Sequence, residues 1–210
     1  MTRFLLLGLA LILSACVEGE LDIHFAPDES VTGDGRIIME QSAYGLASLM
    51  RTGGGDGACG AMAVRVTTAG VICTGSAKTT LSEIERRQTS AKANPPTQFE
   101  PARAALAAAR FERIGSDRLR VVIPLDVGQN LAATLQDFGA SRGIDGAEAQ
   151  IMEAFKGKMI RLRISGAEIL ETNGGVKKGV NEVLFQIPAT ELLKPTGALP
   201  KTFTATIRFK

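Results

Sequence analysis

Strict alternation of apolar and polar residues constrains this chain more than any motif in it. From Val17 to Phe25, the residues Val17, Leu21, Ile23 and Phe25 share one side with Gly19, while Glu18, Glu20, Asp22 and His24 take the other. A period of two is the signature of a strand with one face covered and one face wet. It returns after the turn Pro27-Asp28-Glu29-Ser30, where Val31, Gly33, Gly35, Ile37 and Met39 fall on one side of a returning strand. It returns again in Leu119, Val121, Ile123 and Leu125, in Ile160, Leu162 and Ile164, in Val183, Phe185 and Ile187, and in Phe203, Ala205, Ile207 and Phe209.

Between these runs lie helix signals. Ser42 is placed to cap a segment carrying Leu46, Leu49 and Met50, and Thr80-Leu81-Ser82-Glu83 is a capping box. Asp126 precedes an apolar stripe of Val127, Leu131, Leu135 and Phe138, and Asp145 with Glu148 opens a segment through Phe155 that Gly157 ends. The Ala-rich run 102–109 has helical propensity, but its end is not marked. Gly166 reads as a bulge in a strand continuing to Thr172, and Asn173-Gly174 as the opening of a wide hairpin. The expected fold class is therefore α+β: a curved, mostly antiparallel sheet built from hairpins, with short helices packed on one side.

The first fifteen residues stand apart from this pattern. Arg3 is followed by an apolar run from Phe4 to Leu13 and the small residues Ser14 and Ala15. That order is a signal peptide, and the run is well short of the roughly 20 residues of a membrane-spanning helix. Leu13-Ser14-Ala15-Cys16 resembles the lipobox of bacterial lipoprotein precursors. The resemblance implies cleavage before Cys16 and acylation of its thiol, so residues 1–15 form the signal and residues 16–210 a single domain anchored through Cys16. More than one acyl chain is needed for stable anchoring. Val17 stands where an Asp marks inner-membrane retention in such proteins, which favours the outer membrane. The expected location is the cell envelope, lipid-anchored and facing the periplasm.

Removing Cys16 leaves Cys59 and Cys73, an even pair in an oxidising compartment and fourteen residues apart. A disulfide is the expected state. A hairpin turning at Thr67 to Gly70 sets Cys73 opposite Val64, so Cys59 must fold back through its glycine-rich loop to reach it.

Composition narrows the function classes. With 24 basic and 22 acidic side chains, the charge is too balanced for nucleic-acid binding, and with no Trp and one Tyr there is little aromatic surface to stack sugars or bases. His24 is the only histidine, so His-rich metal sites are excluded. Gly55-Asp56-Gly57-Ala58-Cys59-Gly60 spells a dinucleotide fingerprint, but it follows a helix pattern and precedes a strand, the reverse of what that site needs. No cofactor, no metal and no catalytic residues are expected. Arg118, Arg120, Arg161 and Arg163 lie on the polar sides of two strands, and if those strands are neighbours they form a basic stripe suited to anionic head groups. The competing expectation is a solvated face with Glu18 and Glu20 opposite them.

Leu162 to Gly174, together with a lipobox cysteine running straight into a hairpin, resembles envelope lipoproteins of alphaproteobacteria and, more loosely, LppM-type lipoproteins. That resemblance implies a β-rich envelope domain associated with lipid or glycolipid binding, and it carries over no catalytic residues. The leading expectation is a non-catalytic module that binds a lipid or an envelope partner, with the membrane itself held through Cys16. The alternatives are a small periplasmic hydrolase using His24 and a structural subunit of an envelope complex.

If the lipobox reading holds, Cys16→Ala releases the domain or leaves an unprocessed precursor. Incorporation of labelled palmitate should then fall to background, and incorporation at the wild-type level would show that the anchor lies elsewhere.

Overall fold

The computed structural model describes residues 18–41, 44, 59, 62–68, 70–91, 109–124, 155–192 and 202–210. The alternating segments become β1 (Glu18–Phe25), β2 (Ser30–Met39), β3 (Ala63–Thr67), β4 (Gly70–Thr80), β5 (Arg110–Ile114), β6 (Arg118–Pro124), β7 (Met159–Ser165), β8 (Glu168–Asn173), β9 (Val176–Lys177), β10 (Glu182–Pro188) and β11 (Thr202–Arg208). Helices among the described residues include α1 (Leu81–Ala91) and the single turn α2 (Ala189–Leu192). Glu83 N–H donates to Thr80 Oγ1 at 3.3 Å, so the capping box starts α1 where the sequence places it. The expected helices over 42–50, 102–109, 126–138 and 145–155 fall outside the described residues, Tyr44, Ala109 and Phe155 excepted.

The strands form a seven-stranded sheet ordered β3-β4-β2-β1-β7-β10-β9 and a four-stranded sheet ordered β5-β6-β11-β8. Among the described residues all pairings are antiparallel except β1 with β7. The apolar faces of the sheets meet. One core cluster takes Ile23, Phe25, Val31, Ile164, Val183 and Phe185 from the larger sheet and Leu119, Val121, Phe203, Ala205 and Ile207 from the smaller. Phe25 meets Phe111 across the gap with ring centroids 6.2 Å apart, and Phe185 stacks on Phe203 at 4.7 Å.

This corrects the expected fold class. Among the described residues the fold is mostly β, two sheets packed face to face, and not an α+β sheet with helices packed on one side. The physical reason is that a strand's apolar face needs a cover of similar flatness and area. A second sheet supplies it as well as a layer of helices does, and period-two alternation cannot tell the two covers apart.

Gly166 marks where the chain changes sheets. A Cβ there would lie 2.4 Å from Ile207 Cγ2 and 3.2 Å from the Arg208 carbonyl. Only glycine lets β7 leave the larger sheet and enter the smaller one as β8 at that spacing. The expected bulge is thus a corner between layers. The expected hairpin after Asn173-Gly174 is corrected too: β8 pairs with β11, while the return strand β10 pairs with β7. Its inward residues are nonetheless Val183, Phe185 and Ile187, as alternation requires. β5 has no counterpart in the sequence reading, because Arg110, Glu112 and Arg113 interrupt its apolar side.

Glu29, in the β1–β2 turn, ties the layers at one end. Its carboxylate accepts from Arg113 of β5 at 3.0 Å and from Lys210 at 2.7 Å, and Arg113 also reaches Glu85 of α1 at 3.2 Å. The hydrogen bonds from Arg113 and then Lys210 lower the Glu29 carboxyl from 4.5 to about 2. A lowered folded-state pKa contributes stability that is present above the unfolded value and lost as pH falls toward the folded one. Glu29→Gln should therefore lower the urea midpoint at neutral pH. The gap from wild type should close between about pH 5 and pH 2, and a gap that is constant across that range would refute this role.

Candidate functional site

The larger sheet has two faces of opposite character, set by register. On the outer face, β1 presents Glu20, Asp22 and His24 directly beside Arg161, Arg163 and Ser165 of β7. Arg161 reaches Glu20 at 3.0 Å, Arg36 of β2 reaches the same carboxylate at 3.5 Å, and Arg163 bridges Asp22 at 3.0 Å and Glu182 of β10 at 3.2 Å. Desolvation raises the Asp22 carboxyl against the pull of Arg163, and Glu20, Glu182 and Asp34 add to the rise.

The four arginines do not share a surface. Arg118 and Arg120 lie on β6 of the smaller sheet, whereas Arg161 and Arg163 lie on β7 of the larger one. The outer faces of a sandwich point in opposite directions. Arg118 sits 3.6 Å from Asp117, and Arg120 is in register with Glu112. The condition for a basic stripe, adjacent strands, is not met, and each arginine of β7 faces an acid on β1.

His24 Nδ1 lies 3.0 Å from Ser165 Oγ, a contact between residues 141 positions apart. Only the parallel β1–β7 pairing places them side by side, and nothing in the sequence pattern signals that pairing. A Ser–His pair is the start of a hydrolytic centre, and what surrounds this one decides its use. Asp22, two residues along the same face, is engaged by Arg163. Both strands are paired on each side, so their backbone N–H groups serve the ladders and do not converge on a developing oxyanion. The pair stands exposed on the outer face of the sheet. Among the described residues no cluster of three or more His, Cys, Asp or Glu side chains is arranged to hold a metal.

The inner face carries a feature that the sequence reading passed over. Register sets Gly33 beside Ala77 and Gly35 beside Gly75, four adjacent positions on β2 and β4 with no side chain larger than a methyl. A Cβ at Gly33 would meet nothing within 4 Å, and one at Gly35 or Gly75 would meet Met62. This bare floor separates the main core from a second apolar cluster of Met39, Cys59, Val71 and Cys73, against which Ile37, Tyr44 and Met62 pack. Among the described residues, Met62 lies over Gly35 and Gly75, nothing lies within 4 Å of a Cβ at Gly33, and Leu21, Ile23 and Ile37 flank the floor. The signal was present as the spacing Gly33, Gly35, Gly75, Ala77, but it becomes a patch only when β2 and β4 pair.

Cys59 and Cys73 are joined by a disulfide with Cα atoms 5.6 Å apart, and Cys73 stands opposite Val64 as the hairpin register requires. The bond closes off the second cluster beside the floor. Closing a loop of this length stabilises by about 3 kcal/mol on the chain-entropy model. Cys16 lies outside the described residues.

No family model matches the chain, and no curated protein matches it significantly. A solved structure to which it is similar is the NMR structure of the folded domain of LppM from Mycobacterium tuberculosis. The two are 13% identical with a TM-score of 0.46, over 93% of this chain and 91% of that one.

Because Gly33 sits mid-strand with open space where a Cβ would lie, its backbone freedom costs stability without relieving a clash. Gly33→Ala should raise stability by roughly 0.5–1 kcal/mol in urea unfolding. A loss of similar size would mean that the space over Gly33 is already filled.

Proposed function

We propose that this chain is a lipid-anchored protein of the cell envelope whose β-sandwich binds an apolar ligand or an envelope partner and does no chemistry. The floor of Gly33, Gly35, Gly75 and Ala77 carries the reading. Among the described residues these strands carry no large inward side chain over a patch about 5 Å by 7 Å between strand and residue centres, with Met62 lying over its Gly35 and Gly75 side. That width suits a polymethylene chain or a single apolar side chain lying on the floor, with Leu21, Ile37 and Met62 as walls. The lipobox supports membrane attachment through Cys16, and Val17 supports the outer membrane. The neutralised outer face supports a role in which charge does not select the ligand.

A second reading has one observation in its favour, the His24–Ser165 contact at 3.0 Å. It would make the domain a small hydrolase, with Ser165 as nucleophile and His24 as base. The exposed setting and the engagement of Asp22 by Arg163 weigh against it.

Native mass spectrometry of the detergent-extracted, acylated protein separates the two. A co-purified lipid or a second chain is expected on wild type and on His24→Gln, and it should be lost from Gly33→Leu, which covers the floor yet unfolds normally in urea. Bare protein in every preparation would remove the support for binding. Loss of a cellular phenotype in a folded, acylated and equally abundant His24→Gln variant would turn the assignment to an enzyme.

A further inference from the structure

Resting on the reading of Cys16 as the acylated residue, we propose that the β3–β4 hairpin is a second contact with the lipid surface, made by Val64, Val66 and Thr67. β1 begins at Glu18, two residues after Cys16. Two residues span at most about 7 Å, so the first rung of the larger sheet stays close to the bilayer.

Register then determines what else lies at that end. Glu18 is paired with Ile38, Ile38 with Ile72, Met39 with Val71, and Val71 with Val66, so the hairpin turn shares the rim with the start of β1. β3 lies three strand positions from β1, on the order of 14 Å to one side. The anchor and the hairpin are therefore two separate points on one end of the sandwich, enough to fix its tilt.

The chemistry of the hairpin suits lipid. Val64 and Val66 are 43% and 59% exposed, and they stand on the same face as the fully buried Val71 and Cys73. They form the outer lip of the second apolar cluster, on a strand five residues long. From Val66 to Gly70 the chain is uncharged, with the Thr67 hydroxyl turned in to donate to the Gly70 carbonyl at 2.9 Å. Arg65 projects from the opposite face of β3, where a long cationic side chain can reach phosphates while the valines enter the acyl boundary.

The hairpin is also held rigidly. Gly70 has φ +136°, and a Cβ there would lie 2.4 Å from the Met39 carbonyl, so the turn is pressed against β2. The Cys59–Cys73 bond braces the same cluster. Val176 and Val180 are more exposed, at 62% and 73%, yet neither shares that rim: Val180 lies at the opposite end, beyond Ser165 and Glu182, and Val176 is paired with Leu184, level with Arg163. The rise along β7 places Val180 about 23 Å and Val176 about 13 Å farther along the sheet from the anchored rim.

The test uses the full acylated chain in phosphatidylethanolamine/phosphatidylglycerol vesicles containing a lipid with a diazirine in its acyl chain. After illumination, the digested protein is mapped by mass spectrometry. Insertion is expected on the peptide covering 62–72 several-fold above that covering 174–185, and Val66→Asp should reduce the former to the level of the latter with the disulfide intact. Equal or greater labelling of 174–185, or labelling of 62–72 unchanged by Val66→Asp, would overturn the hairpin contact. The acyl mass on the Cys16 peptide is read in the same digest. An acylated Cys16 with an unlabelled hairpin sinks this proposal alone, whereas an unmodified Cys16 sinks it together with the anchor.

Discussion

The mutual burial of two sheet faces is the interaction on which the other features depend. Phe25, Phe185 and Ile164 from one sheet and Phe203, Ile207 and Val121 from the other close a core that neither sheet could hold dry alone. Each aromatic pair across the gap adds about 0.5–1.5 kcal/mol beyond the area it buries. Because the sheets must approach to side-chain contact, the chain can pass between them only where it has no Cβ in the way. Gly166 answers that demand, and so does Gly175, whose Cβ would lie 2.6 Å from Val183 and 2.8 Å from Phe203.

Once the inner faces are sealed, the outer faces must be compatible with water, and the larger sheet meets this with paired charges. Acids on β1 stand beside arginines on β7, so opposite charges meet directly across strands. Surface pairs of this kind contribute little stability each, but they leave no unpaired row of one sign along β1 and β7. The same arrangement places His24 and Ser165 together, with Asp22 drawn to Arg163. Proximity on such a face is a consequence of register, and catalysis would need convergence from more than one direction.

Over β2 and β4 the inward residues Gly33, Gly35, Gly75 and Ala77 form a floor of small residues between two apolar clusters. A designer of a stable sheet would place β-branched residues there. Sequences that forgo such packing do so where something else comes close to the backbone. The floor and the valine-bearing hairpin adjoin the same second cluster.

What the sequence determined by itself was the face of each strand. Alternation assigned Ile23, Phe25, Val121, Ile164, Phe185 and Phe203 to the interior, and all of them are buried. It also carried the α1 cap at Thr80 and the register of Cys73 against Val64, since both follow from local chemistry. Tertiary structure alone decided which sheet each strand joined, what covered the apolar faces, that the arginines of β6 and β7 lie apart, and that four small residues gather into one floor. The reason is physical: a two-residue period specifies which way a side chain points, but the backbone hydrogen bonds that choose a neighbour are the same for every residue. Neighbours are chosen by how whole faces fit, and that fit is a property of the assembled sheets.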